Sequence, residues 1–318
     1  IYMKKIGFLF LIKDIIENED SWKLFFKNVS PDKYNIYIHY KNNVNLHFFE
    51  KYKLNHCIET CWGERSLVDA QNLLIKEALK DTKITHFIIL SGSCIPLKNF
   101  DYIYNYLDPN YSYFDRQSPD LKQLKSIVYE FLSKTEIKKS SQWCILNRKH
   151  SIFVCNNETI IKYFDNNCYP DERVYITALD KFNMGHEIIN DATTYCNWDL
   201  RRSHPIDFKL IQSNFLYYLL KSKHLFARKF TNCFVKEKRK KININEFPPY
   251  KECISSNNKE NIMNLNEINI IKTIGFDGIS CEYDEIINKN KGNLLYSIQT
   301  ILEEEEKKYK MIYSFQNY

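Results

Sequence analysis

Glycine is scarce in this chain, with 7 residues among 318. None of the seven is placed to complete a G-x-G-x-x-G or a G-x-x-x-x-G-K-[ST] pattern. Those patterns need glycine because the backbone must approach phosphate groups closely. The sequence therefore lacks both the dinucleotide-binding fingerprint and the P-loop of nucleoside triphosphatases.

Two further absences concern metal ions and membranes. The sequence has no Asp-x-Asp pair, with which the common metal-dependent nucleotide-sugar transferases hold a divalent cation, and no His-Glu-x-x-His motif. The longest apolar run near the start, residues 6–12, is far shorter than the roughly 20 residues of a membrane-spanning helix. No small-residue cleavage site follows it, so neither a transmembrane segment nor a signal peptide is expected.

The 10 cysteines are scattered along the chain. The two nearest in sequence, Cys57 and Cys61, have no second pair at zinc-finger spacing, which leaves a zinc site only as a weak alternative to reduced thiols. The sequence is rich in Asn, Ile, Lys, Tyr and Phe, as AT-rich coding sequences favour. With no anchor visible, we expect a cytoplasmic location, or a viral protein at the virus factory or in the virion; the Golgi lumen is the less favoured alternative.

The balance of charge is mildly basic, with 45 Lys and Arg against 39 Asp and Glu and a net charge of +6. The densest basic stretch, 236–241, is interpreted as a solvated linker, with a nucleic-acid patch as the alternative. No aromatic-basic binding motif accompanies it, so no nucleic-acid partner is expected. The composition divides the chain into a domain at 1–235, a linker or surface excursion at 236–262 and a C-terminal extension of unknown role at 263–318.

Apolar strands alternate with helical patterns through the first domain. Residues 6–12, 35–39 and 84–90 have the short apolar runs of buried strands, with helical segments between them. A β-α-β order predicts an α/β fold with a parallel sheet. Further helices are predicted at 148–164, 170–182 and 209–223.

The buried strand at 84–90 leads directly into Ser91, Gly92 and Ser93. Gly92 is expected to let the backbone turn sharply, and Pro96 to end regular strand pairing. Open α/β sheets bind ligands at the carboxyl ends of their strands. Residues 91–96 are therefore a candidate ligand-binding loop, with a plain strand-to-helix turn as the alternative.

Charged side chains suggest where chemistry could occur. Glu172 could act as a general base in a cleft; alternatively, Asp171 caps the helix and Glu172 complements its positive end. Without a metal, a leaving diphosphate must be neutralised by cationic side chains. Two pairs of adjacent cations could do so, with a solvated surface as the alternative for each: Arg201 with Arg202, and Arg228 with Lys229. His39, at a strand end, is either a ligand contact or a structural histidine.

Nine stretches in a fixed order carry a family resemblance. They are IGFLFLIKD (6–14), YNIYIHY (34–40), TCWGERSLVDAQNLL (60–74), HFIILSGSCIPLKNF (86–100), SSQWCILNR (140–148), YPDERVYITAL (169–179), TYCNW (194–198), HP (204–205) and HLFARKF (224–230). Together they resemble the core-2/I-branching β-1,6-N-acetylglucosaminyltransferase family, whose superfamily includes peptide-O-xylosyltransferases and related plant transferases. The resemblance covers roughly residues 4–232.

The resemblance implies a fold, a chemistry and a set of site residues. The implied fold is an α/β, GT-A-like nucleotide-sugar-binding fold, with a mostly parallel central sheet flanked by helices. The chemistry is inverting transfer from a UDP-sugar, with no metal and no other cofactor, and Glu172 as the catalytic base. The diphosphate is assigned to Lys229 with Arg202, or Arg201 in its place, and Arg228 beside them. The donor nucleotide and sugar are assigned to His39, Ser91, Gly92 and Ser93, and the acceptor to Trp198, Trp143 and Asp171.

The sequence therefore predicts an inverting, metal-independent glycosyltransferase that moves a sugar to a hydroxyl of a glycan or glycoprotein. UDP-GlcNAc is the leading donor, ahead of UDP-xylose and UDP-glucuronate. A non-catalytic glycan- or nucleotide-sugar-binding module that has kept the fold is the alternative.

Overall fold

The computed structural model describes residues 4–165, 169–198 and 204–236. The predicted linker beyond residue 236 and the extension at 263–318 lie outside the described residues, as do Arg201 and Arg202. The helices and strands of the described part, in chain order, are β1 (Lys5–Ile12), α1 (Glu19–Phe25), β2 (Tyr34–Tyr40), α2 (Arg65–Leu79), β3 (Ile84–Ser91), β4 (Ile95–Pro96), α3 (Phe100–Tyr106), β5 (Ser112–Phe114), β6 (Arg116–Gln117), β7 (Lys139–Ser140), β8 (Ile145–Asn147), α4 (Arg148–Asn156), α5 (Glu158–Tyr163), α6 (Val174–Lys181), β9 (Ile188–Asn190), β10 (Thr194–Cys196), β11 (Phe208–Gln212), α7 (Ser213–Lys221), β12 (Phe226–Arg228) and β13 (Phe230–Lys236).

A six-stranded sheet with the order β2-β1-β3-β8-β5-β9 forms the centre of the fold. Strand β1 pairs in parallel with β2 and β3, and β5 pairs in parallel with β9. Strand β8 runs antiparallel to β3 and to β5. Most of the strand pairs are parallel, so the predicted α/β fold with a mostly parallel central sheet is confirmed.

Helices cover both faces of this sheet. Successive residues of a strand point to opposite sides, and β1 uses both: Phe8 and Phe10 pack with α1 and α3, whereas Leu9 and Leu11 pack in the cluster that includes α2, α4 and α6. A strand covered on both faces has no solvent side. This explains why β1 is a continuous apolar run rather than an alternating one.

Three predicted helices differ from the structure. The stretch 148–164 forms two helices, α4 and α5, which meet at Asn157. Helix α6 begins only at Val174, after a 3-10 turn at Pro170–Glu172. The stretch 209–223 begins in strand β11, which exists because it pairs in parallel with β13. Local periodicity cannot reveal such a partner, since strand formation depends on tertiary context.

The turn after β3 is fixed by a close approach between two loops. A side-chain carbon at Gly92 would lie 2.3 Å from the carbonyl oxygen of Ile15, far inside contact distance. Gly92 itself does not have the left-handed backbone that a sharp turn would need; Gly63 is the described glycine that does. The prediction that glycine is needed at position 92 for a sharp backbone turn is therefore wrong. Glycine is required because no side chain fits.

Pro96 is itself paired, and its strand ends there, as expected. Ile95–Pro96 form β4, which pairs antiparallel with β12, and β12 pairs in parallel with β10 on its other side. Because β4 is the edge strand of this small sheet, a proline that cannot donate a hydrogen bond is tolerated there. The pairing brings Arg228, the last residue of β12, close to the 91–96 loop.

Two further features concern the cysteines and the lengths of the helices. Six cysteines are free thiols: Cys57, Cys61, Cys94, Cys144, Cys155 and Cys196. In residues 4–165, 169–198 and 204–236, the helices are too short or too polar to pass through a lipid bilayer.

Gly92→Ala is expected to destabilise the fold, because the new methyl group meets a backbone oxygen. Overpacking of this kind costs about 1–3 kcal/mol of unfolding free energy, which urea denaturation would measure. Gly7→Ala is the matched control, since a side-chain carbon at this strand glycine would lie 3.4 Å from the nearest atom of Ile84, an ordinary contact. Equal losses in the two variants would contradict the steric explanation.

Candidate functional site

Three chain segments meet at the carboxyl ends of β1 and β3. The backbone N–H of Glu17 donates to the carbonyl oxygen of Gly92 (2.8 Å), and that of Phe230 donates to the carbonyl oxygen of Ser93 (2.9 Å). The side-chain amide of Asn18 closes the triangle by donating to the carbonyl oxygen of Phe230 (2.9 Å). The 91–96 loop is thereby held between the segment after β1 and the segment that carries Arg228 and Lys229.

The hydroxyl groups of the 91–93 turn are paired within it. The Ser91 and Ser93 hydroxyl oxygens lie 3.2 Å apart, and the Ser91 hydroxyl lies 3.1 Å from the thiol of Cys94. Both serines are 8% exposed. A donor could therefore contact only a small part of this turn, and its role in placing the donor stays a prediction.

Lys229 offers a partly exposed cation at this corner. Its ammonium nitrogen lies 3.3 Å from a carboxylate oxygen of Asp207, with side-chain exposures of 33% and 42%. Glu17 lies nearby: burial raises its pKa, the charges of Asp14 and Asp207 raise it further, and the charge of Lys229 opposes them. Lys229 thus lies among carboxylates that a diphosphate would have to displace, which the sequence did not indicate.

Arg228 is directed into the protein instead. Its guanidinium carbon lies 4.3 Å from the ring centroid of Trp143, in a cation–π contact. Burial raises the pKa of Cys94 and of Cys196, and the charge of Arg228 opposes both shifts, which places the guanidinium close to these thiols. Of the two adjacent cations, Lys229 is therefore the better placed to meet a diphosphate. Trp143, predicted to line the acceptor side, supports Arg228 with its ring.

Glu172 lies in a 3-10 turn rather than in a helix. Tyr169 before this turn has a left-handed backbone (φ 55°), which redirects the chain, and α6 begins only after the turn is complete. A carboxylate oxygen of Glu172 lies 3.1 Å from the ammonium nitrogen of Lys139, and the Glu172 side chain is 25% exposed. The acid thus has both a cationic partner and access to solvent. Lys139 was not predicted, because it immediately precedes a matched stretch and belongs to no motif.

Asp171 carries a buried carboxyl group next to Glu172 in the chain. One of its carboxyl oxygens is buried with no hydrogen-bond partner. Burial raises the pKa of Asp171 to about 7, the charge of Glu172 raises it further, and Arg173 and Lys139 oppose the shift. The alternative in which Asp171 caps a helix is wrong, because Asp171 lies inside the 3-10 turn, whose N-cap is Tyr169, and the N-cap of α6 is Arg173.

The segment 139–143 connects the two sides of the site. Lys139 contacts Glu172 at one end, and Trp143 lies against Arg228 at the other. The backbone N–H of Ser141 donates to the carbonyl oxygen of Asp115 (3.0 Å), which holds the segment against β5. One short segment therefore contacts both the candidate base and a member of the cationic pair.

His39 is completely buried. Its Nε2 accepts the backbone N–H of Ile58 (3.0 Å), and burial lowers its pKa to about 4, so the ring is neutral. The predicted contact with a nucleotide is not available from this position, because the ring has no exposed surface. His39 instead holds the loop around residue 58 against β2.

Two exposed tryptophans belong to matched stretches, and one of them contacts the residue that precedes the Glu172 turn. Trp198, predicted for the acceptor, is 51% exposed. Trp62, which the sequence indicated only as part of a matched stretch, is 62% exposed and lies against Tyr169 and His204, with ring centroids 5.0 Å apart in each case. A separate cavity of about 230 Å³ lies between α2 and the α4–α5 region, and no predicted site residue lines it.

In the part of the chain that the structure describes, no group of three His, Cys, Asp or Glu side chains is arranged to hold a metal ion. Metal independence nonetheless stays a prediction. The diphosphate-binding role of Arg201 and Arg202, which lie outside the described residues, also stays a prediction.

Comparisons with known proteins relate this chain to a family of enzymes. The family model for core-2/I-branching enzymes (Branch) matches residues 6–219. Glycosyltransferase BC10 of Oryza sativa subsp. japonica is 25% identical over 249 residues, which are 65% of this chain and 62% of that protein. The chain therefore spans less than two thirds of that relative's length.

Solved glycosyltransferases are found as distant structural neighbours. One is the galactosyltransferase LgtC in complex with donor and acceptor sugar analogues, at 10% identity and a TM-score of 0.33, covering 70% of this chain and 86% of the other. Another is a glycosyltransferase involved in the glycosylation of the major capsid of PBCV-1, at 11% identity and a TM-score of 0.33, covering 69% and 91%.

Asp171→Asn is expected to gain stability relative to the wild type as pH rises from about 4 to 7. Across this range the unfolded chain ionises Asp171 while the folded protein keeps it neutral, so the wild type loses stability with rising pH. Urea midpoints of both proteins, measured at about pH 5 and pH 8, would report the difference. Asp101→Asn, at a largely exposed carboxylate, is the control and should show no such trend. A difference that does not change with pH would contradict the buried state of Asp171.

Proposed function

The chain belongs to the core-2/I-branching enzyme family, and from that premise we propose that it is an inverting, metal-independent glycosyltransferase. It transfers a sugar from a UDP-sugar to a hydroxyl group of a glycan or glycoprotein. The observation that carries this proposal is the setting of the Glu172 carboxylate. It is partly exposed and paired with Lys139, and Tyr169, just before its turn, contacts the exposed ring of Trp62.

Glu172 acts as the general base. It accepts the proton of the acceptor hydroxyl while the hydroxyl oxygen attacks the anomeric carbon of the donor, and the configuration inverts in this single displacement. The ammonium of Lys139, 3.1 Å from a carboxylate oxygen of Glu172, holds this carboxylate in place in the turn. Burial raises the pKa of Asp171 to about 7, so this neighbour carries at most part of a second negative charge near neutral pH.

Cationic side chains take the charge of the departing UDP. Lys229 exchanges Asp207 for the diphosphate, because the ammonium and its partner are both accessible to solvent. Arg202 or Arg201 shares this task, as the family resemblance implies. Arg228 keeps the segment in place through Trp143. Stabilising charge that develops on a leaving group accelerates the chemical step.

UDP-GlcNAc is the proposed donor, and the location is proposed to be the cytoplasm or a virus factory, where the free thiols of the described cysteines would be maintained. A non-catalytic nucleotide-sugar-binding module is the competing function. Binding of UDP by the wild type without UDP release from any donor would identify it.

Glu172→Gln is expected to lower the rate of transfer about 10²- to 10⁴-fold, the usual contribution of a general base, while leaving UDP affinity unchanged. UDP release from UDP-GlcNAc, UDP-xylose, UDP-glucose and UDP-galactose, with a panel of methyl glycosides as acceptors, is the measurement. Glu136→Gln is the matched control, because Glu136 is also a lysine-paired carboxylate but belongs to no part of the site. Transfer by Glu172→Gln at near wild-type rate would show that the base is another group.

A further inference from the structure

Trp62 has the largest exposed fraction, 62%, of any large hydrophobic side chain among the described residues. An indole left in water forgoes the stabilisation that burial of its large apolar surface would provide. Single exposed apolar residues are common on protein surfaces. The case for a ligand at Trp62 therefore rests on how its indole is held and on what lies beside it.

The indole is held in a defined position despite its exposure. It meets Tyr169 at an interplanar angle of 74° and His204 at 62°, so neither neighbour stacks parallel to it. The backbone N–H of Tyr169 donates to the carbonyl oxygen of Gly63 (2.8 Å), which ties the Trp62 loop to the loop of its aromatic neighbour. A side chain fixed before binding loses less entropy when a ligand arrives.

The position of Trp62 relates it to the candidate base. The carbonyl oxygen of Tyr169 accepts the backbone N–H of Glu172 (3.2 Å), so the ring beside Trp62 and the base belong to one turn. A backbone hydrogen bond brings the His204 and Trp198 segments together. The N–H of Ile206, two residues after His204, donates to the carbonyl oxygen of Asn197, the residue before Trp198 (2.8 Å). Trp62 thus lies beside the turn that carries Glu172 and against His204.

We propose that Trp62 is the platform on which a pyranose ring of the acceptor stacks. The inference rests on the proposed function and adds the acceptor's chemistry to it: a sugar ring with an apolar face of C–H groups. The acceptor hydroxyl must reach Glu172, so the acceptor ring lies beside the turn that carries this base. The donor is held elsewhere, at the 91–93 turn and Lys229.

The chemistry of the platform suits a carbohydrate. A flat, rigid indole supplies contact area to a C–H face at little entropic cost. The polar edge of the same sugar ring is then free to place one hydroxyl at the carboxylate of Glu172. Trp62 itself touches the acceptor but takes no part in proton transfer.

The test compares Trp62→Ala and Trp62→Phe with Tyr102→Ala in the full chain. Tyr102 is also exposed, at 47%, but lies on α3. The probes are methyl β-galactoside, methyl N-acetyl-α-galactosaminide and methyl β-xyloside, titrated by saturation-transfer NMR with saturating UDP. Trp62→Ala is expected to weaken glycoside binding about tenfold or more, a difference these titrations resolve. Trp62→Phe should keep part of the affinity, Tyr102→Ala all of it, and every variant should bind UDP like the wild type.

Two results would overturn the inference: unchanged glycoside affinity in Trp62→Ala, or no binding of any of the three glycosides by the wild type. Failure of the proposed function has a different signature. In that case the wild type releases UDP from none of the four UDP-sugar donors, whether it binds UDP or not.

Discussion

A single close approach, between Gly92 and the carbonyl oxygen of Ile15, sets the geometry on which the candidate site depends. Because residue 92 is glycine and has no side chain, the end of β3 can lie directly against the segment that follows β1. Backbone hydrogen bonds from Glu17 and Phe230 then lock the turn from both sides. The result places Lys229 at the carboxyl ends of parallel strands, where α/β proteins bind their ligands. Gly92 is required because there is no space for a side chain, and its close contact helps to determine the position of Lys229.

The base and the cation are built on different parts of the chain and are joined by residues 139–143. Lys139 holds Glu172, and Trp143 receives Arg228, so a displacement of this segment would disturb both sides of the site. The two sides also differ in character. In the proposed mechanism, Lys229 exchanges one anionic partner for another, whereas Glu172 keeps its lysine and takes up a proton. Such a division of tasks suits a displacement in which an anion leaves as a hydroxyl is deprotonated.

The sequence predicted the elements that local patterns determine. The apolar runs of β1 and β3 are buried on both faces, and such runs identify a strand without knowledge of its partners. Strand β11 was missed because its partner, β13, is distant in sequence. At the site, motif resemblance indicated Glu172 and Lys229, but not Lys139 or Asp207, whose roles arise only when distant segments meet. His39 shows the converse case, since a histidine at a strand end is as well suited to support a loop as to bind a ligand.

The central claim is that side-chain cations, with Lys229 foremost, bind the diphosphate of UDP without a metal ion. Calorimetric titration of UDP into the protein in EDTA tests it most directly, for the wild type, Lys229→Ala and Lys209→Ala, a neighbouring exposed lysine. The account predicts equal wild-type affinity in EDTA and after Mn²⁺ is restored. It also predicts a loss of roughly 10- to 100-fold in Lys229→Ala, the size of a hydrogen bond to a charged group, and little change in Lys209→Ala. Binding of UDP only after Mn²⁺ is added, or undiminished binding by Lys229→Ala, would contradict it.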